Sequence, residues 1–282
     1  IDKQSLMKTN PKLESLSYLV GSPWVIGMKQ AVAGKPLNDV RVRQAMMLAT
    51  DFNALKNDYY GGEAEINVWP VNKQIAAMYQ PLEEMPESVK ALYSYNPEKA
   101  RQLLKEAGYP NGFKTSVVIN GVAERIDELS IYAGMWAKVG IELKIDVKES
   151  GVYSTMGGVA RSYEDMIYKS LSGGFVGQMY YRYVRGGSLS NPSAINDPPG
   201  TVPTVEESYQ EMNKYLFIDM AKSYAEFKKL TPFLLEQAYI IPRPSPYAYN
   251  LWWPWLKNYY GQGAGLIRYS WMDQDLKKSM GY

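Results

Sequence analysis

Apolar residues recur in steps of three and four through Val42, Ala45, Met46, Ala49, Phe52 and Leu55, one stripe down a helix. Asn38 or Asp39 supplies a cap at its start and Gly61-Gly62 ends it, so the spacing predicts a single helix over residues 38–60. Residues 95–109, YNPEKARQLLKEAGY, predict a second helix with clear ends. Asn96 suits the N-cap, Pro97 the first helical position, and Glu98 the positive end of the helix dipole. Ala100, Leu103, Leu104 and Ala107 form its buried stripe, and Gly108 takes the left-handed position after the last turn.

Further along, the period changes. Residues 114–120, KTSVVIN, read as a strand, 123–139 as a helix, and 141–147, with apolar and charged residues alternating, as a second strand. A short helix at 152–160 and a strand at 165–171 complete the order of an α/β layer structure. Residues 172–200 are loop-like. Helix resumes near Val205 and carries a stripe of Phe217, Met220, Tyr224, Phe227 and Thr231, which Pro232 is expected to bend or divide. Beyond Ile241 the composition shifts to four prolines and four tyrosines among three tryptophans, PRPSPYAYNLWWPWLKNYY.

The string DVRVRQAMMLATD in the first helix resembles the opening helix of the mobile lobe in extracytoplasmic solute-binding proteins of the peptide/nickel type (family 5, cluster C), which deliver ligands to ABC importers. The pattern of tyrosine, Asn, Pro-Glu-Lys-Ala, paired leucines and Glu-Ala-Gly-Tyr at 95–109 is similar to the same family, in the same order. Weaker agreement continues through Trp136-Ala137-Lys138-Val139-Gly140-Ile141 and into the tail at 271–282. The resemblance implies an α/β fold, one lobe of a periplasmic-binding-protein-like two-lobed structure. That lobe would run over 29–241, with 1–28 a crossing segment or remnant of the companion lobe and 242–282 the return segment and tail. On this reading the chain is the C-terminal portion of a larger binding protein, and alone it binds solute weakly or not at all.

Composition narrows the chemistry. Among 282 residues there is neither histidine nor cysteine, which removes Ser-His-Asp and Cys-His nucleophile systems, disulfides, structural zinc and the usual haem ligands. Some nickel binders in the resembled family use a histidine, so the resemblance does not extend to nickel here. No cofactor is expected. The net charge of +2 with no dense basic run argues against nucleic acid as a partner. No apolar run approaches the roughly 20 residues that span a bilayer. No charged-then-apolar leader precedes the first strand, and for an exported family that implies a fragment. The resemblance places the protein in the periplasm or outside the cell, as a monomer serving an ABC permease in the membrane.

Candidate contacts come from loops between recognised elements, where binding groups concentrate. Trp69 follows the first helix where the resembled family builds part of its cleft wall. Phe175, Gln178, Tyr180, Tyr181 and Arg182 offer stacking, neutral hydrogen bonds and a cation, against the bland reading of a Tyr-rich packing face. Peptide binders of the family fix the ligand's amino terminus with a carboxylate in this neighbourhood. Here no acid lies between Asp165 and Asp197, so an oligosaccharide or an anionic solute fits better than a conventional peptide. Arg41 and Arg43 read as surface or ion-paired residues of an early helical turn. Two rivals remain open: a carboxylate-based glycoside hydrolase using Glu83-Glu84 or Glu164-Asp165, which read as solvated, and an interaction module that has lost solute binding.

Overall fold

Strands β1 (Trp24–Met28), β2 (Phe113–Asn120), β3 (Ile141–Lys148), β4 (Met166–Ser170) and β5 (Ile240–Pro242) form one sheet in the order β3-β2-β4-β1-β5. The structure is a computed structural model that describes residues 3–19, 23–30, 34–67, 71, 73, 75–158, 161–171, 175–180, 185, 191–262 and 268–282. It divides into two compact units, Gly21–Ser245 and Ile1–Val20 with Pro246–Tyr282. The sheet belongs to the larger unit.

β2 pairs parallel with β3, from Phe113 opposite Ile141 to Asn120 opposite Lys148, and parallel with β4 through Val117–Met166 and Val118–Ile167. β1 runs antiparallel to β4, with Trp24 opposite Ser170, and to β5, with Ile26 opposite Ile241. Both faces of the sheet are covered, which is why Met166, Ile167 and Tyr168 are all fully buried in succession. Val117, Ile119, Met166 and Tyr168 join the main core, whereas Val118 and Ile167 pack with Tyr163, Tyr153 and Met156 on the other side. Gly112 and Gly140, both at positive φ, sit where β2 and β3 begin. A Cβ on Gly112 would run into the Gly140 backbone, so this close approach requires glycine.

Helices follow the capping chemistry. α1 (Val40–Leu48) starts at Asp39, whose carboxylate accepts from Arg41 N at 2.9 Å, and α2 (Pro97–Glu106) starts at Asn96, which accepts from Lys99 N at 3.0 Å. Then come α3 (Ala123–Ala137), α4 (Ser150–Met156), α5 (Val176–Met179), α6 (Pro203–Tyr215) and α7 (Met220–Glu236). The β2-α3-β3-α4-β4 order matches the strand and helix alternation expected from residues 114–171.

Two expectations are corrected. The helix over 38–60 is not continuous: α1 stops at Leu48, a short helix Phe52–Ala54 follows, and a wide π turn covers Leu55–Tyr59. Asp51 re-caps the chain there by accepting from Ala54 N at 2.9 Å, a local bond that outcompetes continuation of the stripe. Pro232 does not divide its helix but lies inside α7, beside a Thr231 hydroxyl that donates to the Phe227 carbonyl at 3.0 Å. The break falls earlier, between α6 and α7, where Phe217 takes φ +63° and Asp219 caps α7. Phe217 is therefore 78% exposed instead of lying on the apolar stripe.

In the smaller unit, strand Glu14–Leu19 pairs antiparallel with the strand ending at Trp252. The Trp253 and Trp255 rings stack with centroids 4.7 Å apart, and Tyr282 packs on both. Among the described residues, no helix is long and apolar enough to cross a membrane.

Candidate functional site

From β2 the chain passes through α3 to β3 on one side, then through α4 to β4 on the other. The carboxyl ends of β2 and β4 therefore flank a topological switch point, the place where open α/β sheets form a ligand crevice. Asn120 closes β2 there, and α3 begins three residues later. The Arg125 guanidinium, in the first turn of α3, donates to Asn120 Oδ1 at 3.1 Å and lies 3.8 Å from the centre of the Trp24 ring. Trp24 opens β1, so the antiparallel pairing with β4 carries the indole to this end of the sheet.

One helical turn deeper, Glu128 is 1% exposed. It accepts from the Tyr60 hydroxyl at 2.7 Å and from the Tyr168 hydroxyl at 2.5 Å, and Arg243 lies 3.5 Å away. Tyr60 ends the wide turn after α1, Tyr168 is the middle residue of β4, and Arg243 follows β5 directly. The backbone N–H of Arg243 donates to the Trp24 carbonyl, which ties the entering and leaving strands to each other. Burial pushes the Glu128 carboxyl up, against the pull of Arg243 and the two hydroxyls. Burial and the Glu128 charge push Tyr60 and Tyr168 up, so both remain neutral donors. Burial lowers Arg243, but Tyr168 and Glu128 outweigh it and hold the guanidinium charged.

This arrangement can hold and orient, and its buried acid, Glu128, is not free. The buried carboxylate is already occupied by two hydroxyls and a cation. Glu83 and Glu84 are exposed on a short 3-10 turn. Glu164 and Asp165 precede β4, at the opposite end of the sheet, where both bind Lys35. Asp165, expected to be solvated, is only 11% exposed in its side chain and accepts from Ser116 N and Oγ and from Thr115. Among the described residues, no group of three or more acids is placed to hold a metal ion.

Of the six residues singled out in the sequence, Trp69, Tyr181 and Arg182 lie outside the described residues. The other three share the short segment around α5. Phe175 is half-buried and stacks on Phe217 with centroids 5.4 Å apart, and Gln178 is exposed. Tyr180 is buried in the core, edge-on to Phe227, with its hydroxyl 2.5 Å from Ser208 Oγ. It presents no ring face to solvent. The two arginines of α1 part company: Arg41 pairs with Asp39 at 2.6 Å, but Arg43 is 2% exposed and not a surface residue. Arg43 donates to the carbonyls of Leu37, Asn38 and Gln237, and burial lowers its pKa to about 10. Sequence reasoning missed Trp24, Arg125, Glu128 and Arg243. One signal was available: Glu128 stands on the same stripe of α3 as Tyr132 and Met135, a charge among core positions.

Comparison with known proteins gives relatives in both sequence and structure. Heme-binding protein A of Haemophilus influenzae is 34% identical over 143 residues, 48% of this chain and 24% of that protein. The glutathione-binding protein GsiB of Salmonella choleraesuis is 31% identical over 157 residues, 53% of this chain and 27% of that protein. Among solved structures, the oligopeptide-binding protein AppA of Bacillus subtilis, in complex with a nonapeptide, superposes with a TM-score of 0.75 at 19% identity. The match covers 96% of this chain and 54% of AppA. HbpA2 of Haemophilus parasuis gives a TM-score of 0.74 at 21% identity, over 95% of this chain and 52% of that one. The chain thus matches about a quarter of the length of the curated relatives and about half that of the solved structures. The family described as bacterial extracellular solute-binding proteins, family 5, middle region, matches residues 1–188, and the chain belongs to that family.

Proposed function

We propose that this chain supplies one wall of a solute-binding site, that the protein captures its solute by closure of two lobes, and that it hands the solute to an ABC permease outside the cytoplasm without covalent chemistry. The unit Gly21–Ser245 is the ligand-binding lobe, and the flanking segments belong to the companion lobe. Closure works because solute gains its full set of contacts only in the closed state, so binding shifts the open–closed equilibrium.

One observation carries the reading: in a chain of this family, Trp24, Asn120 and Arg125 stand at the switch-point end of the sheet, over a carboxylate that is fully engaged. The relatives named for heme, glutathione and peptides bracket the solutes to try. Full-length protein is titrated by calorimetry with reduced glutathione, trialanine and hemin, and the mixtures are followed by mass spectrometry. Saturable binding with the solute recovered intact is the expected result. A product that accumulates with time, or no binding by any probe, defeats the proposal.

A further inference from the structure

We propose that the turn between α6 and α7 is a membrane-contact point, which inserts Phe217 and Ile218 into the boundary between headgroups and acyl chains of a lipid bilayer.

Phe217 and Ile218 are 78% and 83% exposed, the highest values of any large apolar side chains among the described residues. Their neighbours behave differently. Leu216 and Met220 pack against the main core, and so does Phe175, on which the Phe217 ring stacks. Phe175 in turn lies close on α5, where a Cβ on Gly177 would meet its ring at 2.9 Å. The tip is therefore propped from beneath. It is also fixed: the amides of Ile218 and Asp219 both donate to the Tyr215 carbonyl, at 2.9 and 2.8 Å, and the Asp219 carboxylate accepts from Lys222 N at 3.1 Å. Phe217 holds this turn at φ +63°, a left-handed backbone that a β-carbon disfavours and glycine adopts freely. A strained turn thus keeps two large apolar side chains in water, an arrangement that gains once they leave it.

Area and charge select the occupant. Two such side chains offer on the order of 300 Å², whereas a specific protein complex buries roughly 800 Å² on each partner. The tip is too small for a stable protein interface, one with a second copy of this chain included. A fluid bilayer sets no such threshold, because affinity accrues with each apolar side chain that enters it. Charges around the tip are balanced, Lys214 pairing with Glu211 and Lys222 with Asp219. Lys222 also lies over the Tyr215 ring at 5.2 Å, so an aromatic ring and a long cation stand just behind the apolar pair, as at membrane interfaces. The contact is accordingly apolar and does not depend on anionic lipid.

The experiment mixes full-length protein, purified free of lipid and solute, with vesicles of phosphatidylcholine and with vesicles of phosphatidylethanolamine and phosphatidylglycerol. Co-sedimentation gives the bound fraction. Wild type is expected to partition onto both, about tenfold or more above F217S/I218S, which lacks both inserted apolar side chains. F217G relieves the left-handed strain, so it should hold or raise the melting temperature and still lose partitioning. I218W should shift its emission to the blue on vesicles and be quenched by brominated acyl chains. Absence of wild-type partitioning, equal partitioning by wild type and F217S/I218S, or binding confined to the anionic vesicles overturns the proposal. Equal partitioning together with lost solute uptake in cells carrying F217S/I218S assigns the tip to a protein partner instead. No solute enters the vesicle measurements, so their outcome is separate from that of solute capture.

Discussion

The Trp136 indole donates to the Thr50 hydroxyl at 3.0 Å, and that hydroxyl in turn donates to the Met46 carbonyl at 2.8 Å. Trp136 is on α3 and Thr50 sits in the break after α1, and both are fully buried. Thr50→Val keeps the shape but strands the indole N–H, at a cost of about 1–3 kcal/mol. Urea unfolding of T50V, W136F and the double variant checks this. The double variant should cost less than the sum, because W136F removes the group that T50V leaves unpaired.

Removing the Glu128 carboxylate exposes the same asymmetry with charge. E128A leaves Arg243 and two tyrosine hydroxyls without their shared acceptor, and about 3–5 kcal/mol of stability should be lost. Replacing both members, as in E128M/R243M, should cost much less than E128A alone. Denaturant midpoints of the three proteins decide the matter, and a double variant as unstable as E128A would contradict it.

Acid should weaken the loop ahead of α6 through Glu206. The Arg185 guanidinium, with Gln210 and Asn196, holds this carboxyl below the usual carboxylate range. A depressed folded-state pKa means the contribution is present above the unfolded value of about 4.3 and is lost as pH falls through the folded value. Melting curves from pH 7 to pH 3 should therefore show a steeper decline for wild type than for E206Q below about pH 5.

Gly112→Ala should be among the most damaging small changes in the larger unit. It combines a left-handed φ of +76° with a collision against the Gly140 backbone, so about 2 kcal/mol or more is expected. Gly134→Ala, on the open face of α3 with nothing within 4 Å of its Cβ, should instead be neutral or stabilising. Thermal melts of the two variants give the comparison.

Much of the fold was legible from local chemistry. Asn96, Pro97 and Gly108 mark the ends of α2 because a cap, a fixed φ and a left-handed turn are properties of single residues. The strand-helix alternation from 113 to 170 was legible for the same reason: period is local. The break at 49–51 was not, since the apolar stripe runs straight through it and only the Asp51 cap and the Trp136 contact select the interruption. Arg41 and Arg43 look alike in sequence, and burial separates them only once the Gln237 carbonyl arrives from a distant helix end. The residues at the switch-point end of the sheet were hidden in the same way. Trp24, Arg125 and Arg243 meet through strand register, which no window of neighbouring residues contains.

The pairing of Ile26 with Ile241 joins positions roughly 200 residues apart, and the interior strand β1 depends on it. On a ribosome, β1 emerges before β4 and β5 and must wait for them before either of its edges is satisfied. Until then it is an open apolar template, and nascent chains halted before Pro242 should be the aggregation-prone species of this protein.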